Sequence, residues 1–169
     1  MSGSMYAASV PVFKQILSSL TSIIDKAEAY ATERKIDPNA LLQARLYPDM
    51  FPFTRQIQIA TDFAKGATAR LAGIEVPKYE DNEQTFADLK ARIAKTVAFI
   101  SSVNAEQING SEDRDVTTPM GPNNSRTFKG QTYLLHYALP NFYFHATTAY
   151  AILRHNGLDI GKKDFIGKF

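Results

Sequence analysis

The stretch Phe53 to Gly73, FTRQIQIATDFAKGATARLAG, decides the fold. Phe53, Ile57, Ala60, Ala64, Ala67 and Leu71 recur every three or four residues. That spacing gathers their side chains on one face of an α-helix. The small side chains of Ala60, Ala64 and Ala67 invite close approach of a neighbouring helix. Gly73 supplies the stop. Gly66 is an interior weakness, costing about 1 kcal/mol against alanine.

The same period appears three more times. Phe13, Ile16, Leu17, Leu20, Ile23, Ile24 and Ala27 make one stripe on a helix from about Ser9 to Thr32. Ser9 is its expected N-cap, and Pro11 is tolerated in the first turn. Phe86, Leu89, Ile93, Val97 and Ile100 form a third stripe, ending near Val103. It starts at Thr85, with Asp88 three positions on as the second half of a capping box. A fourth helix opens at Pro140 and runs through Arg154 to Asn156, where Gly157 stops it. Between these lie a short helix from Asp37-Pro38 to Leu42, an extended or turn-like stretch around Pro48 and Pro52, and a loop from Ile74 to Asn82. Asn104 to Gly130 is the least helical region. There, Val116-Thr117-Thr118 and Arg126-Thr127-Phe128 flank Gly121-Pro122-Asn123-Asn124, which suggests a short hairpin or an ordered polar loop. The tail from Leu158 is expected to be irregular. The expectation is an all-α chain: a single four-helix-bundle domain over residues 1–169, with a hairpin or loop inserted between the third and fourth helices.

Composition narrows the function by exclusion. The 169 residues contain no cysteine, which removes disulfides, thiolate catalysis, Cys-ligated zinc and iron–sulfur clusters. Nineteen basic against 17 acidic residues leave +2, too little to argue for nucleic acid. Lys14, Gln15, Asp25 and Lys26 interrupt the first long apolar segment, so it is neither a signal peptide nor a membrane span. A cytoplasmic location follows as the default expectation. Met1-Ser2-Gly3-Ser4 before Met5 is either a cloning remnant or a small polar N-terminus.

Three histidines exist, and any metal site must draw on them with carboxylates or amides. His145 stands in an apolar run of the fourth helix, four residues after Asn141 and so on the same face. An imidazole buried there needs partners, because a lost hydrogen bond costs ~1–3 kcal/mol. A core histidine bonded to a backbone carbonyl or a tyrosine hydroxyl satisfies that need as well as a site does. His136 reads as structural or surface, and His155 as a cap of the last helical turn. Gln56, at the edge of the second stripe, is the other anomaly. Its amide can face Asn141 and His145 from a neighbouring helix. Tyr143, Thr147 and Tyr150 can line a pocket, although aromatics at this density also serve a core. No phosphate-binding glycine loop and no nucleophile elbow are present.

Three stretches resemble a known family. They are Met5-Tyr6 to Phe13; Leu46-Tyr47-Pro48-Asp49-Met50 with Gln56 and Ala60 to Gly73; and Leu139-Pro140-Asn141-Phe142-Tyr143-Phe144-His145 through Arg154 to Phe165. The chain is similar to an uncharacterised bacterial family of the DinB-like superfamily. The resemblance implies a four-helix bundle, commonly homodimeric. Relatives often hold a divalent metal with three histidines, one on the second helix and two spaced four apart on the last. Some relatives are thiol-dependent transferases. Mapped here, His145 matches the second of the spaced pair, Asn141 the first, and Gln56 the one on the second helix. One imidazole with two amides does not make an obvious zinc or nickel site, so the expectation is weak metal binding or none.

Two function classes remain. One is an enzyme acting on a small molecule, with His145 as general base or sole imidazole ligand and Gln56, Asn141 and Tyr150 around the substrate. The other is a non-catalytic homodimeric binding or interaction module. In that case the polar triad is structural and fixes helix register.

Overall fold

The computed structural model describes residues 4–169. Residues 1–3, most of the segment read as either a cloning remnant or a small polar N-terminus, lie outside the described residues. Ser4 is engaged, its hydroxyl donating to Asn109 Oδ1 at 2.9 Å, and Met5 is buried.

Four long helices carry the periodic stripes: α1 (Val10–Arg34), α3 (Phe53–Ala72), α4 (Phe86–Ser101) and α7 (Leu139–His155). Contacts run from α1 to α4, α4 to α3, α3 to α7 and back to α1. Ala60, Ala64 and Ala67 are fully buried, and α3 makes its largest interface with α7. The short side chains let the two backbones approach. Phe13 of α1 meets Phe142 of α7 edge-on at 4.8 Å, closing the centre of the core. No helix among the described residues is long and apolar enough to cross a membrane.

The helix ends follow local chemistry. Asp37 Oδ1 accepts from Asn39 N–H at 2.9 Å and starts α2 (Pro38–Leu42). Thr85 and Asp88 form the reciprocal capping box of α4. Gly73 ends α3 at φ 70°, a left-handed conformation that glycine adopts without strain. Ser9 departs from expectation. It precedes α1, but its hydroxyl donates to the Met5 carbonyl at 2.7 Å instead of accepting from the helix. The residue is fully buried and serves the preceding turn.

The region after α4 holds more order than its composition suggested. Asn104 and Gln107 cap a single-turn helix, α5 (Ala105–Ile108). Strands β1 (Asp115–Pro119) and β2 (Ser125–Lys129) pair antiparallel, with Thr117 opposite Thr127. Helical structure then resumes at Gly130, ten residues before Pro140. It passes through α6 (Gly130–Tyr133) and a π-helical turn (Leu134–Ala138) directly into α7. Proline removes an N–H and crowds the carbonyl four residues back. The wider π turn, in which Leu139 N–H bonds the Leu134 carbonyl, accommodates both. The tail is not wholly irregular, since α8 (Lys162–Ile166) packs on α1.

Arg92 lies on the α4 stripe and is 4% exposed. Its Nε donates to Thr61 Oγ1 at 2.7 Å. Its Nη atoms reach Asp62 and Glu83, both at 2.9 Å, Asp81 at 3.1 Å, and the Glu80 carbonyl at 3.1 Å. Burial alone would lower its pKa, yet the surrounding carboxylates hold it above the ordinary arginine value. One guanidinium thus ties α4 to α3 and to the loop at 80–83. Arg92→Ala leaves those carboxylates facing one another, and the expected loss is about 3 kcal/mol of unfolding free energy. Urea denaturation measures it, and a loss below about 1 kcal/mol, the scale of a surface pair, contradicts the role.

Candidate functional site

Gln56 and His145 meet across the α3–α7 seam. Gln56 is buried in the first turn of α3, and its Nε2 donates to the Phe51 carbonyl at 3.1 Å. That bond turns Oε1 toward α7, where it lies 2.7 Å from His145 Nδ1. An amide oxygen only accepts, so the proton sits on Nδ1 and the lone pair on Nε2. Nε2 has no partner within the chain among the described residues. It is not enclosed either, because the enclosed polar side-chain atoms without partners are Tyr79 Oη and Ser111 Oγ. The imidazole stacks on Phe63 at 6.1 Å and meets Phe144 edge-on at 5.2 Å. Burial, with the Arg55 charge adding to it, pushes its pKa down to about 4. The ring is therefore neutral near pH 7, with one fixed donor and one outward acceptor.

The other nominated residues stand apart from this pair. Asn141 is one turn before His145, as its spacing requires, but its Nδ2 donates to the Tyr137 carbonyl at 2.8 Å. It closes the exit from the π turn. Tyr150 lies elsewhere, with its hydroxyl 3.4 Å from the Ile160 carbonyl and its ring against Phe165. It anchors the tail. His136 and His155 are exposed. The donor set does not fit the superfamily's metal. Gln56 Oε1 is taken by an N–H, and Asn141 is turned into its own helix. One imidazole nitrogen remains, and no group of three or more His, Asp or Glu converges as a metal site among the described residues.

A cleft of about 490 Å³ runs along α3 beside the pair. Arg55, Phe63 and Arg70 line it from α3, Val76 from the following loop, Thr118 and Pro119 from β1, and Tyr137 from the π turn. Phe63 also stacks on His145, so ring and cleft share a wall. Tyr137 meets Phe63 edge-on at 5.8 Å and stacks on Phe128 of β2 at 5.3 Å. Neither His145 nor Gln56 lines the cleft itself, and four larger grooves, of about 570 to 820 Å³, likewise contain none of the residues the sequence nominated as a site. The sequence reading missed Arg55, Arg70 and Phe63. The available signal was a cation at each end of an α3 face that also carries Phe63.

The chain is similar to known proteins over nearly its whole length. Residues 5–166 match a family described as a domain of unknown function (DUF1993), and the chain belongs to that family. It is also similar to the crystal structure of a DinB family member protein from Shewanella denitrificans. The two are 39% identical, with 97% of this chain and 92% of that one covered and a TM-score of 0.90. The resemblance read from Leu46–Gly73 and Leu139–Phe165 therefore stands: this is an uncharacterised DinB-like protein. No curated protein matches it.

The depressed His145 pKa sets a pH dependence. The unfolded imidazole takes up its proton near 6.5 and the folded one near 4. The neutral ring's contribution is complete above pH 6.5 and is lost as pH falls toward 4. The loss is on the order of 3 kcal/mol. Wild type is expected to lose that much more stability than His145→Gln between pH 7 and pH 4 by urea denaturation. Parallel curves for the two proteins contradict a neutral, partly buried imidazole.

Proposed function

We propose that this DUF1993 protein binds a small molecule through the His145–Gln56 pair. The observation that carries the reading is the relay from the Phe51 carbonyl through Gln56 to Nδ1, which leaves the Nε2 lone pair pointing outward. A fixed, neutral acceptor beside a partly aromatic cleft is a recognition element. The same nitrogen can take a proton from a substrate, but a pKa near 4 makes it a weak general base near pH 7. Binding is therefore the better-supported role, and catalysis is the secondary one. Asn141 positions α7, and Tyr150 contributes through the tail. We read the four long helices as one DinB-type four-helix bundle forming a single domain, with the hairpin inserted between the third and fourth. The superfamily's metal centre is replaced here by hydrogen bonds.

A homodimer is the second part of the reading. Phe51 and Phe144 flank the His145–Gln56 pair at 53% and 56% exposure, and Tyr47 on the same loop reaches 66%. Aromatic surface concentrated at one place favours burial against a partner, here a second copy of the chain.

Two measurements test these readings. Purified protein incubated with zinc, nickel and manganese is expected to retain no stoichiometric metal by mass spectrometry, in wild type or His145→Gln. Stoichiometric metal held by wild type and lost in the variant overturns the metal-free site. Sedimentation is expected to give a dimer for wild type and a shift toward monomer for Phe144→Asp. A monomeric wild type overturns the homodimer.

A further inference from the structure

We infer that the cleft along α3 binds an organic oxyanion, a carboxylate or phosphate monoester with an aromatic or aliphatic body, anchored by Arg70. The inference rests on the reading of this cleft as a ligand site and names the class of ligand it takes.

Charge around the cleft is unevenly matched. Arg55 pairs with Asp81 at 2.5 Å, and Lys65 with Asp62 at 2.6 Å. The buried Arg92 donates further bonds to Asp62 and Glu83 and pairs with Asp81. Three cations thus share three carboxylates, and Arg70 is a fourth, left over. It makes no ion pair among the described residues. Its side-chain partner is the buried Tyr133 hydroxyl, 3.2 Å from Nη1. Burial raises the Tyr133 pKa, so the phenol stays neutral and does not balance the guanidinium. The remaining N–H groups of Arg70 keep the planar fork that grips a carboxylate or phosphate in two places.

Gly66 carries a second, independent mark of this arrangement. It is buried in the interior of α3 and its φ is not positive, so the backbone does not require glycine. Alanine there would add about 1 kcal/mol of helix stability. A Cβ built at Gly66 would stand 2.5 Å from Arg70 Nη1. The guanidinium therefore lies back across the helix, one turn up, in the space the missing side chain leaves. Glycine sacrifices helix propensity to seat the arginine beside the cleft. Phe63, Val76 and Tyr137 line the rest of the cleft and offer apolar surface to the body of the ligand.

The test titrates three probes, phenylacetate, phenyl phosphate and neutral benzyl alcohol, into labelled protein followed by amide chemical shifts. At least one anion is expected to bind at millimolar concentration, more tightly than the alcohol and more weakly as salt is added. The tighter anion identifies carboxylate or phosphate as the natural head group. Arg70→Gln keeps a donor for Tyr133 and is expected to weaken the anion about tenfold or more. Arg70→Lys, which restores the charge without the fork, is expected to recover part of the affinity. Gly66→Ala is expected to melt no lower than wild type and still to weaken the anion, an outcome that a purely structural glycine would not give. Equal binding of alcohol and anions, an unchanged anion affinity in Arg70→Gln, or no binding of either anion overturns the inference. His145→Gln reads the earlier proposal separately. Anion binding that survives in that variant keeps the Arg70 site and removes His145 from the ligand contacts. Loss in His145→Gln with Arg70→Gln unaffected does the reverse.

Discussion

The guanidinium of Arg92 is the constraint on which the α3–α4 half of the molecule depends. A charge removed from water survives only when opposite charge and hydrogen bonds surround it. Arg92 meets that demand with groups from two places: Thr61 and Asp62 on α3, and Glu80, Asp81 and Glu83 on the loop before α4. The loop has no regular structure of its own. Its course is set by the need to bring carboxylates and a carbonyl to one buried cation. Tyr79 strengthens the arrangement, with Lys65, Lys95 and Arg92 at 4.5, 4.3 and 5.3 Å from its ring centre. The outward consequence is a fixed charge pattern along α3. Asp62 is committed to Lys65 and Arg92, Asp81 to Arg55 and Arg92, and the next cation along the helix has no carboxylate left to meet.

The other half depends on a backbone accommodation. Helical structure begins at Gly130, and Pro140 falls inside it. The π turn at 134–138 absorbs the proline, and the side chain of Asn141 takes the Tyr137 carbonyl that the distorted ladder leaves underused. An imidazole at position 141 would not reproduce that bond as readily, because a short amide reaches its own i−4 carbonyl from a helix. Asn141 is thus occupied in holding the helix that presents His145. On α3, Gln56 is likewise held by Phe51 and aimed at Nδ1. Both amides bear on His145, one by steering its helix and the other by fixing its proton.

The sequence made the long helices legible because burial has a period. The stripes of α1, α3 and α4, the Asp37 and Thr85 caps and the Gly73 stop are all local features, and local features survive folding unchanged. The contact between Gln56 and His145 was legible as a possibility, since both are polar residues beside apolar faces and the family pattern aligns them. Three things were not legible. Pro140 looked like a helix start because a π turn has no sequence signature as strong as proline's own. Nothing local in the sequence marks Arg92 as buried. Its partners, Glu80, Asp81 and Glu83, come from a loop whose path no periodicity encodes. Tyr150 looked like a pocket residue because aromatic content does not reveal direction, and the turn at Ile160 that receives its hydroxyl lies in a tail with no apolar repeat.

The two halves meet at Phe63, and their electrostatics agree there. Burial, with the Arg55 charge adding to it, keeps the imidazole uncharged, so the α3–α7 seam presents the acceptor of His145 at one end and an α3 guanidinium without an ion pair at the other. A protonated His145 would add a second cation beside Arg55 and weaken the distinction between the ends. A neutral one preserves it. Gly66 belongs to the same arrangement, because the end of the Arg70 side chain occupies the space a methyl group there would take. From the space beside Gly66 to the guanidinium that fills it and the charge it leaves unmatched, α3 is both the scaffold of the core and one wall of the cleft.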